Sequence, residues 1–394
     1  MTRQFVARTK EPFASIMCTP RSVDIEITSR CNLRCRYCYF FDNPAVDYRD
    51  LPTEEWLRFF EGLGRCGVMN LTLAGGEPFI RKDLTVLIGG IVRNRMRFSI
   101  LSNGMLIDDE ISGFIGSTGR CDYVQVSVDG SDTKAHDACR GEGAFVGAIR
   151  GIRTLQHHGV SVAVRVTIHR YNVFDLENIA GLLLEELELP GFSVNAAGYL
   201  GSCRSNADDV LMTAQERQVA MEALLRLSEK YTGRISAMAG PLAEARQWRR
   251  MEEARMQAAP PFPNGGRLTA CGCPSNKIAV RADGVIVPCS MLSHIKLGHI
   301  SRDSLVETWQ QSVELNRIRQ RHLIQLTDFE FCDACPYISY CTGNCPGLAF
   351  AMTGQVDHPS PDACLKRFLE AGGKLPADEW SERLADTDAA TALA

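Results

Sequence analysis

Ser22 to Thr28 reads Ser-Val-Asp-Ile-Glu-Ile-Thr, polar and apolar side chains alternating at a period of two, the pattern of a strand with one face in a core. Thr53, Glu54 and Glu55 then supply an N-cap and acidic residues for the first turn of a helix ending near Gly64 or Gly67. A second strand over 68–73 runs into Ala74-Gly75-Gly76-Glu77-Pro78. The alternation continues with helices expected over 82–94, 108–117, 144–157 and 176–187, each followed by a strand, over 98–101, 123–128, 161–168 and 192–197. A long amphipathic helix over 214–231 follows. Six β-then-α units in sequence order predict a parallel sheet with helical crossovers. About 210 residues is short of the roughly 250 of a closed eight-stranded barrel, so the α/β fold expected is an open, six-unit partial barrel.

Composition refines this picture. The 394 residues exceed one average domain, and 45% hydrophobic with 23% charged residues is ordinary for a globular chain. No apolar run reaches the roughly 18 residues of a membrane span, and the start Met-Thr-Arg-Gln-Phe carries no export signal, so a cytoplasmic protein with no membrane partner is expected. A net charge of −4 provides no overall attraction to nucleic acid and favours a peptide or small-molecule substrate. Sixteen cysteines without an export signal argue for metal ligation in a reducing compartment. The divisions expected are an arm over 1–21, the partial barrel over 22–235, a helical linker over 236–268 closed by Pro260-Pro261-Phe262-Pro263-Asn264-Gly265-Gly266, a cysteine-dense module over 269–372, and a tail over 373–394.

The first strand delivers Cys31-Asn-Leu-Arg-Cys35-Arg-Tyr37-Cys38. A [4Fe–4S] cluster normally takes four thiolates, so three from one loop leave an iron open, and openness implies chemistry. The competing readings are a zinc loop, which usually pairs cysteines as CxxC, or three buried thiols. The loop, with aromatic Tyr37 before its last cysteine, resembles the signature of the radical SAM superfamily. That resemblance implies that S-adenosylmethionine chelates the open iron and, with one electron from an external donor, is cleaved to methionine and a 5′-deoxyadenosyl radical that takes a hydrogen atom from substrate.

Other residues acquire roles from the same resemblance. Gly75-Gly76-Glu77-Pro78 is similar to the family's GGEP motif beside the methionyl group, where glycines let backbone carbonyls approach the ammonium and Glu77 accepts its hydrogen bonds or fixes the turn. Arg165 lies between Val164 and Val166; if it faces inward it needs an anion such as the methionyl carboxylate, and otherwise it faces solvent. Ser102, Asn103 and Ser127 end successive strands within reach of ribose or carboxylate, Ser127 being the one the resemblance favours. Asn195 and Gly198-Tyr199-Leu200 end the sixth strand, where ribose and adenine are expected. His136-Asp137-x-x-Arg140-Gly141 resembles an HDxxRG stretch of the subfamily and reads either as a loop ion pair or as catalytic.

Beyond the proline cluster, Cys273, Gly284, Cys289, Cys332, Cys335, Cys341, Cys345 and Cys364 resemble the SPASM pattern. Asp283-Gly284 is a hairpin turn that brings Cys273 and Cys289 together. By resemblance, one auxiliary cluster uses Cys273, Cys289 and Cys345, and a second uses Cys332, Cys335, Cys341 and Cys364. Cys271 stands only two residues before Cys273, which leaves the fourth ligand of the first cluster open. A zinc knuckle is the alternative for 332–345. Cys18, Cys66, Cys121, Cys139 and Cys203 form no pattern and read as buried thiols, Cys203 lying near the end of the sixth strand. Over roughly 22–372 the chain resembles the radical SAM/SPASM maturases of SynChlorMet-type cassettes, in Tyr37-Cys38-Tyr39-Phe40, Leu51-Pro52-Thr53-Glu54-Glu55-Trp56 and Arg93-Asn94-Arg95-Met96-Arg97-Phe98. The resemblance implies three [4Fe–4S] clusters and a ribosomally made precursor peptide, with oxidative carbon–carbon bond formation, such as cyclopropane formation on aliphatic side chains, as the favoured outcome. The arm is too short for a leader-binding domain, so leader recognition is expected from a separate small leader-recognition protein or from the barrel surface itself. The rivals are a sulfatase-type formylglycine maturase and a zinc-stapled scaffold without enzymatic activity.

Overall fold

The computed structural model describes residues 17–44, 46–269 and 272–376, so most of the expected arm and tail, and Cys271, lie outside the described residues. The alternating pattern yields β1 (Ser22–Thr28), α1 (Thr53–Arg65), β2 (Asn70–Gly75), α2 (Leu84–Arg93), β3 (Arg97–Ser102), α3 (Asp109–Ser117), β4 (Cys121–Ser127), α4 (Thr133–Arg140), α5 (Ala144–His157), β5 (Val162–Ile168), α6 (Leu176–Gly181) and β6 (Phe192–Ala196). Strands β1 to β6 are neighbours in chain order, and every pair among them is parallel, which is the partial barrel that the six repeated units imply. Helix α4 was not expected. Its sequence Thr-Lys-Ala-His-Asp-Ala-Cys-Arg is too polar to show a clear apolar stripe, and the helix is started instead by Asp132, which accepts from Ala135 N at 2.8 Å.

The period of two sorts each strand between two faces. Val23, Ile25 and Ile27 are fully buried, as are Leu73 of β2, Phe98 and Ile100 of β3, and Trp56 and Phe60 of α1, all in one apolar core. Each such side chain contributes about 1.5–3 kcal/mol. Asp24, Glu26 and Thr28 alternate with these residues and occupy the opposite, inner face, where Thr72 and Ala74 of β2 lie beside Asp24 and Glu26 in register.

The sheet is wider than six strands. At one end β7 (Ile235–Ala237) adds parallel to β6; its three residues fall where the linker was expected to begin, and are too few to show a period. At the other end β8 (Lys277–Val280) adds parallel to β1, followed by antiparallel β9 (Val285–Val287) and β10 (Gly298–His299). The cysteine-dense region thus extends the barrel's own sheet, and Ile278, Val280 and Ile286 share the core of β1. In the linker, the helix Pro241–Met256 packs on the helix Ala214–Lys230.

Candidate active site

The first cysteine loop leaves the carboxyl end of β1 and is tied at both ends. Asp50 accepts from Thr28 Oγ1 at 2.7 Å, Ser29 N at 2.6 Å and Ser29 Oγ at 2.7 Å. Burial raises the Asp50 pKa, but these hydrogen bonds and Arg30 outweigh it and hold the carboxylate below its ordinary value.

The glycine turn after β2 is wedged against the same loop. Gly76 N donates to Thr28 O at 2.9 Å and Glu77 N to Arg30 O at 2.8 Å. Gly75 has φ +122°, and a Cβ on Gly76 would stand 2.1 Å from Arg30 O, so this approach requires glycine at both positions. Of the two roles expected of Glu77, the geometry shows the second. Its carboxylate accepts from Ser102 Oγ and Asn103 N, both at 2.8 Å, and from Phe79 N at 3.2 Å, and so fixes the turn. Burial pushes its pKa up to about 7 against these hydrogen bonds. Ser102 is committed to Glu77, and its oxygen also accepts from Gly104 N at 2.9 Å. The Asn103 amide donates to Asn32 Oδ1 at 2.8 Å and lies 3.9 Å from Cys31 Sγ, linking the end of β3 to the loop.

Behind the loop lies a buried polar network. Asp129, fully buried at the end of β4, accepts from Tyr37 OH, from Arg140 Nε at 2.5 Å and from Thr167 N at 2.7 Å. Its own N–H donates to His136 Nδ1 at 3.1 Å, and its carbonyl accepts from Asn172 Nδ2 at 2.8 Å. Burial raises the Asp129 pKa, but Arg140, His169 and His136 more than offset it, and the group stays ionised below the ordinary carboxylate range. Arg140 also lies 5.4 Å from the Tyr37 ring centroid, and Arg36 N donates to Cys139 O at 2.9 Å. Within the HDxxRG stretch, Arg140 pairs with Asp129, which precedes the stretch, and Asp137 accepts from Gly143 N and Phe145 N, each at 2.8 Å. Asp129, His169 and Asn172 were missed as site residues. Asp129 reads in sequence as half of an Asp-Gly turn, and its partners lie up to 92 positions away.

The three loop thiols act on one another electrostatically, and burial raises each pKa, that of Cys35 to about 12. Thiols held neutral by desolvation become thiolates when metal ions supply the missing charge. Leu33 N donates to Cys31 Sγ at 3.4 Å. Around this end of the sheet, Ser127 is beside Arg165 in register. Arg165 is exposed on the inner face, its neighbours Val164 and Val166 turned to the core, and Nε donates to Ser193 Oγ at 3.3 Å. Asn195 carries a buried Oδ1 without a partner among the described residues, an acceptor suited to a ligand donor. Beyond Leu200, Gly201 has φ +51° and Ser202 N donates to Cys38 O at 2.9 Å, which fastens the end of β6 to the loop. The residues present thus fit a three-thiolate cluster with a ligand lying across the inner face.

In the second cysteine set, Cys332, Cys335, Cys341 and Cys364 act on one another electrostatically, and burial pushes Cys332 up to about 12 and Cys341 to about 11. Ala334 (φ 49°) and Asn344 (φ 61°) are left-handed residues immediately before Cys335 and Cys345, turning the chain at those thiols. Cys273 and Cys289 both act on Lys277, at the start of β8. Among the described residues no three His, Cys, Asp or Glu side chains gather tightly enough to hold a single metal ion.

The sequence matches the Radical SAM superfamily over residues 25–183 and the SPASM iron-sulfur cluster-binding domain over 271–336. Fe-coproporphyrin III synthase of Methanosarcina barkeri is 30% identical over 363 residues, covering 88% of each chain. The chain belongs to the radical SAM superfamily. PqqA peptide cyclase of Granulibacter bethesdensis is 26% identical over 359 residues, 88% of this chain and 87% of that one. Streptococcus suis SuiB bound to precursor peptide SuiA has the same fold, with TM-score 0.65 at 17% identity over 89% of this chain and 77% of SuiB. So does anSMEcpe with bound AdoMet, at 0.64 and 17%, over 89% of this chain and 96% of that one. This protein is a radical SAM/SPASM enzyme, and its two domains imply S-adenosylmethionine and iron–sulfur clusters. Among the described residues no helix is long and apolar enough to cross a membrane.

Proposed function

We propose that this radical SAM/SPASM enzyme modifies a ribosomally made precursor peptide in the cytoplasm, by oxidative formation of a carbon–carbon bond. The observation that carries the reading is the continuity of the inner face, from the loop thiols at the top of β1 to the auxiliary thiols flanking β8 and β9, on a chain related along most of its length to a peptide cyclase. When bound, S-adenosylmethionine and the cluster on Cys31, Cys35 and Cys38 supply the hydrogen-abstracting radical. The protein's part is to orient and to shield. Gly75 and Gly76 present backbone to the methionyl group, with Glu77 and Ser102 holding that turn, and Asn103 steadies the loop. Arg165 and Ser127 offer a cation and a hydroxyl to the methionyl carboxylate, while Asn195 and Leu200 meet ribose and adenine. Cys273, Cys289 and Cys345, and Cys332, Cys335, Cys341 and Cys364, would hold two auxiliary clusters for a total of three [4Fe–4S], which would supply an acceptor for the electron left when a substrate radical closes on itself. A separate small protein recognises the leader, and an external donor reduces the first cluster. Kinship with the SynChlorMet-type maturases, including cyclopropane formation as one outcome, belongs to the same proposal.

The test is anaerobic reconstitution followed by iron analysis and incubation with S-adenosylmethionine, a strong reductant and the precursor peptide of the neighbouring reading frame. About twelve irons per chain, 5′-deoxyadenosine and a peptide lighter by two hydrogens are expected. An unmodified peptide under conditions that release 5′-deoxyadenosine would end the reading. A second reading rests on the relative that is 30% identical. If the substrate is an iron tetrapyrrole, coproporphyrin-type absorption develops when one is added to the same mixture, and the peptide stays unchanged. The formylglycine and zinc-scaffold readings are not favoured.

A further inference from the structure

Glu26 is the one carboxylate of β1 that is nearly inaccessible, at 3% exposure, although its register places it on the inner face rather than in the apolar core. A carboxylate so placed is costly to keep ionised without a dedicated cation. The nearest candidate is Arg281, next in register where β8 lies beside β1. Its guanidinium is held by Asp283 at 2.5 Å and by the Ser293 carbonyl at 3.1 Å. The groups that face Glu26 come from two elements. Arg281, Asp283 and the hydrogen-bonding hydroxyl of Ser290 belong to the β8–β9 side, and Tyr39 and Tyr48 belong to the segment after the first cysteine loop. Tyr39, 40% exposed, feels the charges of both Glu26 and Arg165.

This position lies between the two redox centres. Glu26 is two residues below the top of β1, from which the loop of Cys31, Cys35 and Cys38 departs, and its partner Ser290 directly follows Cys289. A substrate activated beneath that loop and oxidised by an auxiliary cluster would release its proton toward this face. Among the residues gathered here, desolvation of the phenol raises the pKa of Tyr39 and of Tyr48 although both side chains are partly exposed, and the Arg281 guanidinium offers only donors.

We propose that Glu26 is the proton acceptor of the inner face, taking the proton released when a substrate radical is oxidised to its closed product. For a closure that joins R–H and H–Y, one hydrogen atom leaves R as the new C–H bond of 5′-deoxyadenosine and the R–Y bond forms. The remaining electron passes to the auxiliary iron–sulfur cluster, and the remaining proton passes from Y to the Glu26 carboxylate. The assignment rests on the oxidative closure proposed above. Burial pushes the Glu26 pKa up to about 8, with Arg281 and Ser290 pulling the other way, so the accepting form grows as pH rises through that value.

The test uses the full chain with reconstituted clusters, as wild type, Glu26→Gln and Glu26→Asp. Without any peptide, infrared spectra of the wild type should show a neutral-carboxyl C=O stretch at pH 7 that fades as pH rises through about 8 and is missing in Glu26→Gln. Wild-type and Glu26→Gln spectra that coincide at pH 7 would overturn the assignment. With precursor peptide deuterated on its side chains, Glu26→Gln should still move deuterium into 5′-deoxyadenosine within about threefold of wild type, while product formation falls by about a hundredfold or more and its rise with pH disappears. Glu26→Asp should recover part of the product. Undiminished product from Glu26→Gln, or loss of deuterium transfer together with product, would also overturn it. If the wild type moves no deuterium from the peptide, the peptide reading fails, and the infrared titration by itself supports or overturns the role of Glu26.

Discussion

The loop of Cys31, Cys35 and Cys38 hangs from a sheet whose apolar core is complete without it, whereas Cys332, Cys335, Cys341 and Cys364 sit on single turns and short helices that reach the same core through Tyr337, Tyr340, Leu365 and Phe368. Around the first set, the fixed points include hydrogen bonds and ion pairs at strand ends: Asp50 to Thr28 and Ser29, Glu77 to Ser102 and Asn103, Asp129 to Tyr37 and Arg140. Around the second, Glu330–Cys332 and Ile338–Tyr340 are single 3₁₀ turns, joined to the helix Pro241–Met256 mainly by Tyr337 OH to Glu252 at 2.9 Å and Tyr340 OH to the carbonyls of Ala254 and Ala259. One site is organised before metal arrives. The other, built from shorter elements, is expected to gain further order when metal binds.

The most severe way to probe this difference is to remove the first three ligands. Cys31→Ala, Cys35→Ala and Cys38→Ala together should abolish 5′-deoxyadenosine formation while leaving the far-ultraviolet circular dichroism and the melting temperature almost unchanged, because the strands do not need the loop. A melting temperature lowered as far as by loss of the second set would erase the contrast. Next, Cys332→Ala or Cys335→Ala should keep some S-adenosylmethionine cleavage but lose peptide product. Limited proteolysis should then cut first between residues 326 and 364, and uniform protection there would show that this region carries its own order.

Asp129→Ala tests the preorganisation itself. It strands Arg140 in a buried site, and the expected cost is about 3–5 kcal/mol in urea unfolding, together with loss of cofactor cleavage although no ligand is touched. A variant as stable as the wild type would show that the network does not brace the loop. The mildest probe is acid. Burial holds His136 and His169 neutral, with folded pKa values lowered from 6.5 to about 4. The unfolded chain binds protons there first, so stability is fully present above about pH 6.5 and is lost as pH falls toward 4, by at most about 3 kcal/mol for each imidazole. Replacing both by Gln should flatten that stretch of the pH–stability curve measured by urea titration.

How much of this was legible in the chain follows the range of the interactions. Period-two alternation marks β1 to β6 because each strand answers to the same core, and glycine with three cysteines marks the loop because close approach and ligation restrict residue type. Strand β7 was invisible at three residues, and α4 is held by a cap and an ion pair rather than by an apolar stripe. Asp129 and Glu26 look in sequence like ordinary polar positions at or near strand ends. Their surroundings come from elements dozens to hundreds of residues away, and only the fold assembles them.

The placement of β1 between β2 and β8 also bears on how the chain can be divided. A protein cut at the proline-rich segment 260–266 would keep all six crossover units yet uncover one side of β1, with the hydrogen-bonding groups of Ser22 to Ile25 unpaired along it. An open edge of that kind recruits strands from other copies, so the shortened chain would be expected to self-associate into aggregates. The cysteine-dense region thus acts as a built-in edge guard for the barrel, a service separate from any electron it carries.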